Sequence, residues 1–232
     1  MSETREIVSF DYAIKYVLRQ KADFVVLEGF LSELLARQVK VMEILESESN
    51  KDDQGSRIAR VDLKARIDDG EIVIFEIQYH YEADFFGKLL FNASTAVVEQ
   101  MREGSKFYIK KVYMIAIAYI NFHNKLDYLF RAQIKDFVGV QHQETIPFTI
   151  IDRSESVRSE IHPEYFLILP NMFDDQIRVK FDEWVYTLKN SKVRSDFTAA
   201  GIKEAGAKLD VLKMTPEERR SYNRFWQRHR GI

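Results

Sequence analysis

The stretch IARVDLKARIDDGEIVIFEIQ, residues 58 to 78, constrains this fold more than any other part of the chain. Arg60, Asp62, Lys64 and Arg66 alternate with Val61, Leu63, Ala65 and Ile67, the period of two expected of a half-buried strand. After Asp68-Asp69-Gly70, residues 71 to 78 set Val73, Phe75 and Ile77 on one face and Ile72, Ile74, Glu76 and Gln78 on the other. Two such runs across a glycine turn predict a β-hairpin. Its register matters, because a slip of one residue sends every side chain to the opposite face. A two-residue loop at Asp69 and Gly70 would pair Asp62 with Ile77. A three-residue loop with Gly70 in the left-handed position of a bulge pairs Asp62 with Glu76, and glycine as the third loop residue favours it. The second register also gathers Val61, Leu63 and Ala65 with Phe75 and Ile77 on the core face, leaving Asp62, Glu76 and Gln78 together on the other.

The rest of the chain alternates between helical and extended patterns. Apolar residues from Tyr12 to about Arg37 recur at spacings of three and four, as in helices, with Gly29 a weak point. VKVMEILESES, 39 to 49, predicts a strand and NKDDQGS, 50 to 56, a polar loop. Ala83 to Glu103 predicts a helix stopped by Gly104, with Phe85, Phe86 and Phe91 read as core. VYMIAIAYI, 112 to 120, is apolar throughout, as a central strand covered on both faces should be. Further strands are expected near 127–133 and 149–152, then a proline-bounded segment PEYFLILP at 163–170. Helices are expected at 182–189 and 199–214, and a last one opens on Thr215, Pro216 and Glu218 in capping-box spacing. The expected fold is α/β: a mixed sheet flanked by helices, with a core over residues 1–155 and a mainly helical extension over 156–232.

Composition removes several kinds of chemistry. The chain has no cysteine, so disulfides, thiol nucleophiles and thiolate metal sites are excluded. A reducing cytoplasm is the expected setting, and no run is long and apolar enough to span a membrane. A formal net charge of −2 over 232 residues gives no global basic field. Any nucleic-acid contact must therefore rest on a local patch or on metal that neutralises phosphate.

Two carboxylates on adjacent strands, with Cβ atoms roughly 5 Å apart, repel each other unless something offsets them. A bound cation is the simplest offset. Asp62, Glu76 and the backbone carbonyl of Ile77 would offer hard oxygen ligands suited to Mg²⁺ or Mn²⁺. Gln78, pointing the same way as Glu76, is placed to position water or contact phosphate. The plainer alternative makes these acids charges on a solvated strand face, partnered by Arg60, Lys64 and Lys88. Ile72 and Ile74 count against it, because they make the Glu76 face apolar.

The segment RIARVDLKARIDDGEIVIFEIQ, 57 to 78, resembles the second and third strands of the PD-(D/E)XK nuclease superfamily, with Asp62 matching the first acid and Glu76-Ile77-Gln78 the (D/E)-x-K element. Glutamine replaces lysine in some branches. Asp11 and Lys15, MREGSKFYIKKVYMIAI at 101–117, PEYFLIL, FDEWVYTLKNS at 181–191 and LDVLKMTPEERRSYNRF at 209–225 extend the likeness. It points to the branch called recombination-promoting nuclease or PD-(D/E)XK nuclease family transposase. The resemblance implies a restriction-endonuclease-like core, Mg²⁺-dependent DNA cleavage, and a homodimer for cutting both strands. Related sequences often carry arginine in the helix after the third strand, where this chain has FFGKLLF with Lys88. A further metal-binding acid is expected from EILESES, either Glu46 or Glu48. Lys64, Lys88 and Lys15 are the expected phosphate contacts.

The last helix interleaves Arg219, Arg220, Arg224, Arg228 and Arg230 with Tyr222, Phe225 and Trp226, a pattern that can grip phosphates but that most often marks an amphipathic packing helix. The rival to a working nuclease is a nuclease-fold module that binds DNA or protein without cutting.

Overall fold

The structure is a computed structural model, and it describes residue 12 and residues 24–45, 61–103, 109–120, 127–132, 136–138, 145–147, 163–210 and 214–230. In chain order these form α1 (Val25–Leu34), β1 (Val41–Leu45), β2 (Leu63–Ile67), β3 (Glu71–Gln78), α2 (Phe85–Glu103), β4 (Val112–Ala118), β5 (Leu129–Ala132), β6 (Asp136–Val138), β7 (Thr145–Pro147), β8 (Glu164–Ile168), α3 (Lys180–Asn190), α4 (Ile202–Lys208) and α5 (Pro216–Arg230). Six strands make one mixed sheet in the order β1-β2-β3-β4-β8-β5. The β1-β2-β3 side is antiparallel, β3-β4-β8 run parallel, and β5 closes the far edge antiparallel to β8. The fold is therefore α/β and restriction-endonuclease-like, with a helical C-terminal region.

The hairpin takes the register that the position of Gly70 favours. Leu63 pairs with Phe75, Ala65 with Val73 and Ile67 with Glu71, which leaves Asp68, Asp69 and Gly70 as the loop. Gly70 has φ of 103°, where a side chain would be strained, and its N–H donates to the Ile67 carbonyl. Asp68 also has positive φ, which aspartate tolerates better than most residues. Arg37 holds that turn, its guanidinium bonding to the carboxylates of Asp68 and Glu71 while Asp68 also accepts the Lys40 N–H.

Each face of the sheet has its own core. Leu63, Ala65, Ile67, Val73, Phe75 and Ile77 pack with α1, α3 and α4, centred on Phe30, whose ring lies 5.6 Å from both Phe181 and Trp184. Ile72, Ile74, Val112 and Met114 face the other way, under Phe85, Leu89, Ala93 and Ala96 of α2. Between these layers β4 is buried along its whole length, which is why its sequence shows no alternation.

The structure corrects several expectations. Strand β2 begins at Leu63 with a bend at Asp62, so Val61 packs with the α2-side cluster instead of beside Leu63. Gly29 does not weaken α1; a Cβ there would overlap the Ala200 carbonyl, so glycine is what lets the loop before α4 pack tightly on α1. Phe86 and Phe91 are exposed, and only Phe85 of the three is core. The helix expected over 199–214 covers Ile202–Lys208, while β6 and β7 form a small sheet that the sequence did not suggest. The segment beyond residue 155 also completes the main sheet, with β8 inserted between β4 and β5. The strand expected near 149–152 lies outside the described residues. The capping box of α5 is present: Glu218 N–H donates to Thr215 Oγ1 and Thr215 N–H to Glu218 Oε2.

Candidate active site

The open end of the hairpin brings Asp62 and Glu76 to one lysine. Glu76, in the middle of β3, points to the α2 side among Ile72, Ile74 and Ala116, and is 3% exposed. Its Oε1 accepts a hydrogen bond from the Lys88 ammonium, which reaches down from the first turn of α2. The other oxygen, Oε2, is buried and takes no hydrogen bond from the described residues. Burial works to lower the Lys88 pKa, but the Glu76 hydrogen bond and the charges of Glu76, Asp62 and Glu82 outweigh it and hold the pKa above its ordinary value. One ammonium thus feels both carboxylates.

Asp62 reaches this place by an unexpected route. At the bend before β2 its backbone N–H donates to the Phe75 carbonyl at 3.1 Å, and its Oδ2 accepts the Ile77 N–H at 2.7 Å. The side chain therefore does what the next backbone carbonyl of a longer β2 would have done. A strand residue directs its N–H and C=O to the same edge, so the Ile77 carbonyl also lies on the Asp62 side of β3. Asp62 and Glu76, both acting on Lys88, and the Ile77 carbonyl thus belong to the same end of the hairpin. Gln78 is buried on the Glu76 side, and its Nε2 donates to the His80 carbonyl at 2.6 Å. In this state the Gln78 amide is turned back on its own chain.

The remaining candidates fall in different places. Lys64 pairs with Glu99 of α2 and is 16% exposed at its side chain. Arg219, Arg220 and Arg224 are exposed on α5, whose Tyr222 packs edge-on against Tyr12 at 5.0 Å. Asp11, Lys15, Glu46 and Glu48 lie outside the described residues. The acids of FDEWVYTLKNS are architectural: Asp182 accepts the N–H groups of Arg178 and Val179, and Glu183 those of Thr198 and Ala199. Asn92, one turn beyond Lys88 and buried, was not anticipated. Its signal was legible only as spacing, since Lys88, Asn92 and Glu99 are separated by four and seven residues and so fall on one face of the helix.

Among the described residues no group of three or more His, Cys, Asp or Glu side chains is placed to hold a metal. The oxygen donors at this end of the hairpin are two carboxylates and a carbonyl, all hard oxygens. Mg²⁺ commonly takes one or two carboxylates and keeps several waters, so this set suits it. The resident ammonium shows that the place already selects positive charge.

A mixed sheet of this order, with paired acids at the open end of its central hairpin, defines the PD-(D/E)XK nuclease class. A family model described as PD-(D/E)XK nuclease family transposase matches residues 8–230, and the chain belongs to that family. No curated protein and no solved structure matches the chain. No helix among the described residues is long and apolar enough to cross a membrane.

Proposed function

We propose that the protein is a Mg²⁺- or Mn²⁺-dependent DNA endonuclease of a mobile element or recombination system, with Asp62 and Glu76 as metal ligands. The observation that supports this best is the shared lysine: two acids held against one displaceable cation, beside a backbone carbonyl turned to the same edge. When bound, the metal supplies activated water and neutralises charge on the phosphate. Asp62, Glu76 and the Ile77 carbonyl would hold it, with Glu46 or Glu48 as the further acid. The chain's own groups do the rest. Glu76 is held by the ammonium beside it, the apolar layer under α2 limits water around its carboxylate, and the Gln78 amide, on the same strand two residues on, would serve water or phosphate once freed from the His80 carbonyl. Lys88, released from Glu76, supplies the positive charge that Gln78 cannot. Lys64, Lys15 and the arginines Arg219, Arg220 and Arg224 extend the phosphate-binding surface, and a homodimer would present two sites for double-strand cutting.

The test is plasmid cleavage by the wild type, Asp62→Ala and Glu76→Ala with Mg²⁺ or Mn²⁺. Cutting by the wild type alone is expected, with each variant slower by on the order of 10³-fold, since charge stabilisation by a metal amounts to several kcal/mol. Equal cutting by all three would remove the site. Salt-sensitive DNA binding without any cutting would make the protein a binding module instead.

A further inference from the structure

We propose that Asn92 is a positioning residue for Glu76, donating to its carboxylate once a divalent cation has displaced Lys88. This rests on the metal reading above and adds a residue that the sequence motif does not contain.

The starting point is a buried donor. Asn92 is 3% exposed, and its Nδ2 has no hydrogen-bond partner among the described residues. An unsatisfied buried N–H is costly, and asparagine is a poorer helix former than the alanine and leucine around it. Nothing in the packing explains it, because the same face of α2 is filled by Phe85, Leu89, Ala93 and Ala96.

The position explains it better. Asn92 follows Lys88 by four residues, so the two side chains are neighbours along the helix. Lys88 ends on Glu76. Because β3 and β4 run parallel with α2 crossing between them, α2 runs back along β3, and the buried Asn92 follows Lys88 by one turn in the layer between α2 and the sheet. Among the described residues, those on this side of the sheet that are polar and buried are Glu76, Gln78 and Asn92, and Gln78 donates to His80. Glu76 is then the acceptor that an amide at position 92 can serve. While Lys88 occupies Glu76, the amide waits. When a divalent cation takes the lysine's place, a donor from behind the carboxylate fixes its orientation, as outer-shell partners of metal ligands commonly do.

The experiment measures Mn²⁺ binding to the full chain by calorimetry, with thermal unfolding midpoints in EDTA, for wild type, Asn92→Leu and Asn92→Ala. Leucine nearly conserves volume and removes the unpaired donor, so Asn92→Leu should unfold at or above the wild-type midpoint yet bind Mn²⁺ weaker by roughly ten- to a hundredfold. Asn92→Ala, a smaller change that guards against misfolding of the leucine variant, should lower affinity by the same factor. A purely structural role predicts affinity unchanged in both, and that result overturns the proposal. A wild type that binds no Mn²⁺ overturns the metal reading and this inference with it; a wild type that binds, with variants equal to it, overturns this inference alone.

Discussion

The two ends of the β2-β3 hairpin carry the same ingredients, arranged to opposite effect. Among the described residues, Asp68 and Glu71 at the turn share Arg37, and Asp62 and Glu76 at the open end both act on Lys88. Arginine is a rigid fork that binds two carboxylates at once, and Asp68 is further held by the Lys40 N–H. That end is satisfied. Lysine is a single ammonium on a flexible stem, and the carboxylate it touches is far more buried than either acid at the turn, 4% against 23% and 25% at the side chain. On the proposed reading, the acid pair of this hairpin is structural where the cation is a fitted fork, and open to metal where the cation can leave.

Substitutions can break this contrast, and the acids should do so most strongly. Glu76→Gln should cut DNA slower by on the order of 10³-fold, whereas Glu71→Gln should stay within a few-fold and show itself as a lower unfolding midpoint. The cations come next. Lys88→Met strands a buried carboxylate, so its midpoint in EDTA should fall by several degrees and be restored by Mn²⁺, which binds only the folded chain. Arg37→Met should fall by less, because its partners are partly exposed, and Mn²⁺ should restore nothing. Equal rescue of both would erase the distinction. Gly70→Ala places a Cβ at positive φ and should cost about 1–2 kcal/mol in denaturant titrations, with cleavage surviving if Ile67 still pairs with Glu71. The smallest effect is expected at Gly87, where an added Cβ meets nothing within 4 Å; Gly87→Ala should gain about 0.5–1 kcal/mol and leave the Lys88 contact in place.

What the sequence could disclose of this arrangement followed from local physics. Strand period and the glycine at position 70 were enough to set the register, and the register put Glu76 and Gln78 on one side. The bend at Asp62 was not legible, because a side chain replacing a backbone acceptor at a strand end leaves no periodic trace. For that reason the alternation puts Val61 on the wrong face. The orientation of α2 was hidden by its apolar outer face, where Phe86, Leu90, Phe91, Val98 and Met101 are exposed. With hydrophobic residues on both sides, periodicity does not tell which lie inward, so it places Phe86 and Phe91 in the core and gives no sign of Asn92. The insertion of β8 between β4 and β5 is a matter of long-range topology that local pattern does not encode.

The claim beneath all of this is that metal and Lys88 compete for one place between Asp62 and Glu76. Calorimetric titration of Mn²⁺ into wild type, Lys88→Met, Asp62→Asn and Glu76→Gln tests it directly. Binding should tighten by roughly tenfold or more when the ammonium is removed, since no resident charge then has to be displaced, and should vanish when either acid is neutralised. Affinity that is unchanged in Lys88→Met, or that survives in both acid variants, would contradict it.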